Sequence, residues 1–198
     1  MAFTPRLNAI GILGNMHWYS NQNPYEATGY GMPNCTAYAW GRFWEIGDPL
    51  GTGANRPNPN NLPGYWDGGM WWYKFNGSVY ESGETPKLGA VICFDRPGYS
   101  GHVGIVEEIY NDGEYIVTSN SAYNGTFFYT QTLYRNNNYS YGDYIFQGFI
   151  YNPYAEQPVP PSSPKKDRFP WVLYARKLRN NHELTNHRFL WYNIINIY

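Results

Sequence analysis

The rhythm of hydrophobic and polar positions changes once along this chain, near residue 80, and the change separates a helical part from a stranded part. Residues 1–28 keep no sustained period and are broken by Pro5, Gly11, Gly14 and Pro24, so they are expected to be irregular with one short helical turn. Residues 35–46, CTAYAWGRFWEI, join alanines to large aromatics without strand alternation. They predict a buried helix, with Asn34 as its N-cap. Residues 47–69, dense in Gly, Pro and Asn, are too long and too polar to be core, and loops of this kind tend to shape binding sites. The next stretch, MWWYKF, predicts the start of a short helix whose Trp71 and Trp72 either flank a cleft or enter the core.

From Tyr80 the pattern becomes that of strands: ETPKLGAVICFDR, HVGIVEEIY, EYIVTSNSAY, TFFYTQTLYR and YIFQGFIYN, each separated from the next by turn residues. Short connections of this kind describe a curved antiparallel sheet packed on the earlier helix, and the fold class is therefore α+β. Beyond Asn152 the composition shifts. Residues 153–166 are rich in proline and read as an extended linker. Residues 167–198 are basic at first, then aromatic and apolar, and are too short to hold a core of their own. They are expected to dock on a partner or a second copy of the chain, or to lie at an interface, the alternative being a disordered remnant.

Composition narrows the functional classes. Of 198 residues, 20% are aromatic and 15% charged, a surface suited to sugars and peptides more than to polyanions. The net charge of −1 gives no basic face for nucleic acid. No stretch approaches the roughly 20 apolar residues of a transmembrane segment, and no N-terminal signal-peptide pattern is expected. Two cysteines do not indicate a disulfide framework. Cys93, inside the apolar run GAVICF, reads as a buried structural thiol.

Cys35 is different, because it follows the N-cap. Unpaired backbone N–H groups and the helix dipole there favour the thiolate that a cysteine nucleophile needs, whereas a small buried hydrophobe is the ordinary alternative. A second stretch, GYSGHVGIVEEI, places His102 at the start of a strand, which completes the Cys/His arrangement of a thiol hydrolase. His102, Gly104 and Val106 share a face, and Gly104 is expected to leave space for the Cys35 helix. If the following hairpin loop is Asn111, Asp112 and Gly113, Tyr110 pairs with Glu114 and Asn120 falls on the face of His102. A two-residue loop brings Ser119 and Ser121 there instead. His17 has no partner at metal-ligand spacing and is expected to be packed or exposed.

The segments PNCTAYAWGR, TPKLGAVICF and GHVGIVEEIYNDG, in that order and spacing, resemble the CHAP family of cysteine, histidine-dependent amidohydrolases/peptidases, over residues 5–152. The resemblance implies a papain-like fold, a catalytic domain at residues 1–152, Cys35 as nucleophile and His102 as general base. Asn120 then orients the imidazole, where many members use Glu. Trp71, Trp72 and Tyr123 are the expected substrate contacts. Some members bind calcium in an acidic loop before the nucleophile; this chain has only Asn, Gln and Glu26 there, so no metal and no cofactor is expected. The implied function is cleavage of an amide in bacterial cell-wall peptidoglycan, as an amidase or endopeptidase. A phage endolysin or tail lysin is the expected setting, in the virion or in the host cytoplasm before release to the wall, with tail subunits as further partners. The alternative is a tail structural or adhesion protein that keeps the fold without turnover.

Overall fold

The computed structural model describes residues 3–157 apart from Asn76 and Ser78. The segment 158–198 lies outside the described residues, and with it most of the expected linker and the whole expected docking segment. Residues 153–157, read from sequence as the start of that linker, instead belong to the domain. Ala155 is buried, and the Gln157 amide exchanges hydrogen bonds with the backbone of Leu88, receiving Leu88 N–H at 2.8 Å and donating to Leu88 O at 3.1 Å. Proline content marked the boundary a few residues early, because backbone pairing to a distant loop leaves no local pattern.

Among the described residues four α-helices precede the sheet. Two single-turn helices, α1 (Met16–Tyr19) and α2 (Pro24–Ala27), are capped by Asn15 and Asn23. They stand where one short turn was expected. The principal helix α3 (Cys35–Gly47) buries almost every side chain from Thr36 to Trp44, which explains its lack of a polar stripe. A 3₁₀ turn at Gly68–Met70 leads into α4 (Trp71–Lys74).

Six antiparallel strands follow among the described residues: β1 (Ser82–Gly83), β2 (Val91–Asp95), β3 (His102–Tyr110), β4 (Tyr115–Asn120), β5 (Tyr129–Tyr134) and β6 (Ile145–Ile150), in the spatial order β1-β6-β2-β3-β4-β5. Strand alternation divides their side chains between two cores. Val91, Cys93, Val103 and Ile105 pack with Trp40, Phe43 and Trp44 of α3, while Ile92, Phe94 and Val106 join Phe146 and Phe149 on the other face. Helices first and an antiparallel sheet after them make the expected α+β architecture.

The β3–β4 hairpin decides which side chains meet His102. Tyr110 pairs with Tyr115, so four residues, Asn111 to Glu114, form the loop, where three were expected. Continued unchanged, this register would set Ser119 and Ser121 on the face of His102. A β-bulge at Glu107 shifts it by one residue, so that Ile105 pairs with Ser119 and Val106 with Thr118. Asn120 therefore reaches the face of His102 after all, by a longer loop and a compensating bulge. The space at Gly104 serves Asn120, not α3, as had been expected: a Cβ on Gly104 would lie 2.2 Å from Asn120 Oδ1. The reason is strand alternation, since Val103 and Ile105 are the residues of β3 that pack in the α3 core.

Candidate active site

Cys35 is the first residue of α3, and its neighbours hold it there. Asn34 Oδ1 accepts hydrogen bonds from Thr36 N–H at 3.1 Å and Thr36 Oγ1 at 3.0 Å, while its Nδ2 donates to Tyr30 O at 2.9 Å. The backbone N–H groups of Val103, Thr36 and Cys35 itself act on the sulfur. Val103 directly follows His102, so the start of β3 and the start of α3 meet at this sulfur.

His102 is buried, with its ring stacked between Phe94 and Tyr129 at centroid distances of 6.3 and 6.4 Å and met edge-on by Tyr144 at 5.8 Å. Its Nε2 lies 3.0 Å from Asn120 Oδ1. The hydrogen-bond network assigns the tautomer. Thr118 Oγ1 donates to Gln131 O at 3.2 Å and so accepts from Asn120 Nδ2 at 3.0 Å, which turns Asn120 Oδ1 toward the imidazole. Nε2 must then carry the proton, and Nδ1 keeps the basic lone pair. Tyr129 Oη lies a further 3.4 Å from Nε2.

Burial dominates the electrostatics of the pair. It pushes the His102 imidazole down to about 4, against the opposing hydrogen bond to Asn120. It also pushes the Cys35 thiol up to about 11, outweighing the three backbone N–H groups, and the Asp67 carboxylate adds to the rise. Cys35 keeps partial access to solvent from the cleft, but the protein packed around its sulfur sets its ionisation. The expectation of a resting thiolate is thus corrected: the helix start supplies the donors, and desolvation exceeds them. At neutral pH the pair rests as thiol and neutral imidazole.

Cys35 and His102 line one cleft of about 970 Å³, walled by Tyr30, Tyr123, Tyr129 and Tyr144 and by residues 65–68 of the long polar loop. Tyr123, 58% exposed, is there as expected, and its ring lies 6.4 Å from that of Tyr30. The two expected tryptophans are not. Trp71 is wholly buried in the α3 core, its Nε1 donating to Tyr25 Oη at 2.8 Å. Trp72 packs beside that core, its ring filling the space that a side chain at Gly148 would take. A single-turn helix wedged between sheet and loop has no outer face wide enough to offer both indoles to the cleft. Trp66, five residues earlier, lines the cleft in their place, with Lys74 Nζ 4.0 Å over its ring. It lies in the loop that composition had already marked as site-forming. Tyr129 and Asp67 carried no such signal, because a strand Tyr and a loop Asp are ordinary in sequence.

The other candidates are structural. Cys93 is fully buried in β2, and burial pushes its thiol far up. His17 is buried edge-on to Trp44, with Nδ1 2.8 Å from Asn15 Oδ1 and Nε2 3.5 Å from Asp48 Oδ2. Among the described residues no group of three or more His, Cys, Asp or Glu is arranged to hold a metal ion, and no helix is long and apolar enough to cross a membrane.

Known proteins resemble part of this chain. Over 109 residues the chain is 28% identical to "Probable autolysin SsaALP" of Staphylococcus aureus (strain NCTC 8325 / PS 47), a match covering 54% of this chain and 34% of that protein. A solved structure, an N-acetylmuramoyl-L-alanine amidase from Staphylococcus aureus, aligns with a TM-score of 0.44 at 21% identity, covering 62% of this chain and 32% of that one. The chain therefore spans about a third of the length of these relatives. The CHAP domain family model matches residues 24–122, half of the chain and the stretch that holds Cys35, His102 and Asn120, and the chain belongs to that family.

Proposed function

We propose that this domain hydrolyses an amide bond of bacterial peptidoglycan, with Cys35 as nucleophile, His102 as general base and Asn120 as the residue that orients it. The observation that carries the reading is the hydrogen-bond chain from Thr118 through Asn120 to His102 Nε2, which leaves Nδ1 as the base in the cleft that holds Cys35. The neutral resting pair calls for general-base attack. His102 Nδ1 takes the thiol proton as Sγ bonds to the carbonyl carbon, and the backbone N–H of Cys35 faces the developing oxyanion. The imidazolium then gives its proton to the leaving amine as the C–N bond breaks, forming a thioester. Water, deprotonated by His102, attacks the thioester carbonyl and releases the carboxylic acid and the thiol.

The aromatic walls support a substrate with sugar and peptide character, and the autolysin match points to the same polymer. Purified Gram-positive walls incubated with the full chain should release new amino groups without new reducing ends. Mass spectrometry of the fragments tells an amidase cut at the sugar–peptide junction from an endopeptidase cut within the peptides. Cys35→Ala should release neither. Wall binding without any cleavage by the wild-type chain would favour the adhesion alternative, and association with phage particles would establish the virion setting.

A further inference from the structure

One acidic side chain lies in the cleft without a role in the chemistry just proposed. The Asp67 carboxylate lines the cavity close enough to act on both Cys35 and Tyr25, yet among the described residues it forms no hydrogen bond and no ion pair. The other lining groups are aromatic rings, hydroxyls, small residues and neutral polar groups, so Asp67 is the one acidic side chain in the lining, the nearby Lys74 ammonium being engaged over the Trp66 ring.

Its place is fixed from two sides. The glycines that follow it lie backbone against backbone on the segment that enters β3: Gly69 N–H donates to Ser100 O at 2.7 Å, and a Cβ on Gly68 would be 3.0 Å from the His102 backbone. On the preceding side, the Tyr25 hydroxyl shares its one proton between Pro63 O at 2.9 Å and Trp66 O at 3.0 Å. The backbone that carries Asp67 is thus anchored on both sides, and its exposed carboxylate lines the cleft that holds Cys35 and His102.

That position opposes the reaction in the free protein. The attacking sulfur and the carbonyl oxygen both gain negative charge in the transition state, and an unpaired anion nearby raises the cost of each. A cation brought by the substrate reverses the effect. We propose that Asp67 is the specificity-determining residue of the cleft, receiving a protonated amino group of the substrate near the scissile amide and selecting peptides that carry a free amine there over those with a blocked amine or a carboxylate. This rests on the reading of the cleft as that of an amide hydrolase. Neutralising Asp67 also relieves its pressure on Cys35, so the amine accelerates turnover as well as binding.

The test uses the full chain and soluble peptidoglycan fragments with free amino groups, compared with the same fragments after acetylation by acetic anhydride. Wild type should cut the free-amine form with a kcat/KM about two- to fivefold higher, the scale of an exposed ion pair, and the preference should shrink as salt is raised. Asp67→Asn should bring the ratio to about one, and Asp67→Glu should retain it; a merely structural role would change both substrates together. Equal rates on both forms by wild type, or an undiminished preference in Asp67→Asn, overturns the inference. If wild type cuts neither form, the hydrolase reading fails, and binding to the Cys35→Ala chain by calorimetry decides. Tighter binding of the free-amine form that is lost in the Cys35→Ala/Asp67→Asn double variant sustains the role of Asp67, and equal binding ends it.

Discussion

Helix α3 and strand β3 bring polar groups together at two places, and the two handle them in opposite ways. At one, Glu107 and Arg42 are well partnered: burial works against the Arg42 guanidinium, and Glu107 more than offsets it and pushes its ionisation up. Arg42 Nε and Nη2 donate to the two carboxylate oxygens at 2.9 Å each, Ser119 Oγ donates at 2.7 Å, and Arg6 N–H donates at 2.8 Å. Glu45 extends the network, accepting from Arg42 Nη1 at 2.8 Å and pairing closely with Arg6. At the other, Cys35 and His102 are neutral, each held from its charged form by burial. Burial alone therefore does not decide charge; the number of partners does. The well-partnered place fixes helix to strand, and the poorly partnered one keeps its protons free to move.

The sharpest way to separate the two is to remove the nucleophile. Cys35→Ala should lower kcat/KM on wall fragments by at least about 10⁴-fold, the scale seen when a nucleophile is deleted, while the thermal midpoint stays near that of wild type. A variant that keeps its turnover would sink the catalytic assignment. The converse is Glu107→Ala, which leaves Arg42 buried without its main partner and should cost about 3–5 kcal/mol by denaturant unfolding. Unchanged stability would show that the network contributes nothing net.

Smaller effects test the orienting chain. Asn120→Ala should reduce kcat by about 10–10²-fold, less than loss of Cys35, because orientation assists the base without replacing it. Gly104→Ala should act in the same direction without touching either reacting residue, since its methyl group would collide with Asn120 Oδ1. Ser119→Ala should lower stability more than turnover, as its hydroxyl serves Glu107.

The mildest signature is in pH. His102 falls from an ordinary 6.5 to about 4 on folding, so the unfolded chain binds more protons between those values and stability is lost as pH drops through them. Cys35 rises from 9.0 to about 11, so the folded chain holds its proton longer and stability is lost as pH climbs through that window. Thermal midpoints should form a plateau between the two arms, and His102→Gln should flatten the acid arm. Activity should persist well below pH 6.5 and fail only near 4. A rate that halves near pH 6.5 would mean that the imidazole is more solvated than its aromatic stack implies.

Much of this was legible in the sequence, for reasons that differ by residue. Cys35 and His102 announce themselves by position, one after an N-cap and the other at the entry to a strand, and both signals are local. Asn120 followed from strand alternation, although the loop length used to reach it was one residue short and only the bulge restored the outcome. That bulge is invisible in HVGIVEEIY because Glu107 looks like any exposed glutamate until Arg42, distant in sequence, folds against it. The cleft aromatics were misassigned within a few residues of one another. Trp66, Trp71 and Trp72 are equally hydrophobic, and only the packing of α4 sends two of them inward. The resting protonation state was not legible at all, since the amide donors can be read from a helix start and the density of protein around the sulfur cannot.

The bulge at Glu107 also constrains how such a chain can drift. The loop at Asn111–Glu114 and the extra residue at Glu107 form a matched pair, each shifting the strand register by one step. Straightening the bulge while keeping its residue and the four-residue loop would bring Ser121 opposite Gly104 in place of Asn120, whereas deleting Glu107 would join the Val106–Thr118 and Glu108–Val117 pairs directly, leave Asn120 in place and remove only the carboxylate that holds Arg42. The acid at the bulge and the extra residue that makes the bulge should therefore be lost together, and a relative without an acid at this position is expected to have a strand one residue shorter and the same residue opposite Gly104.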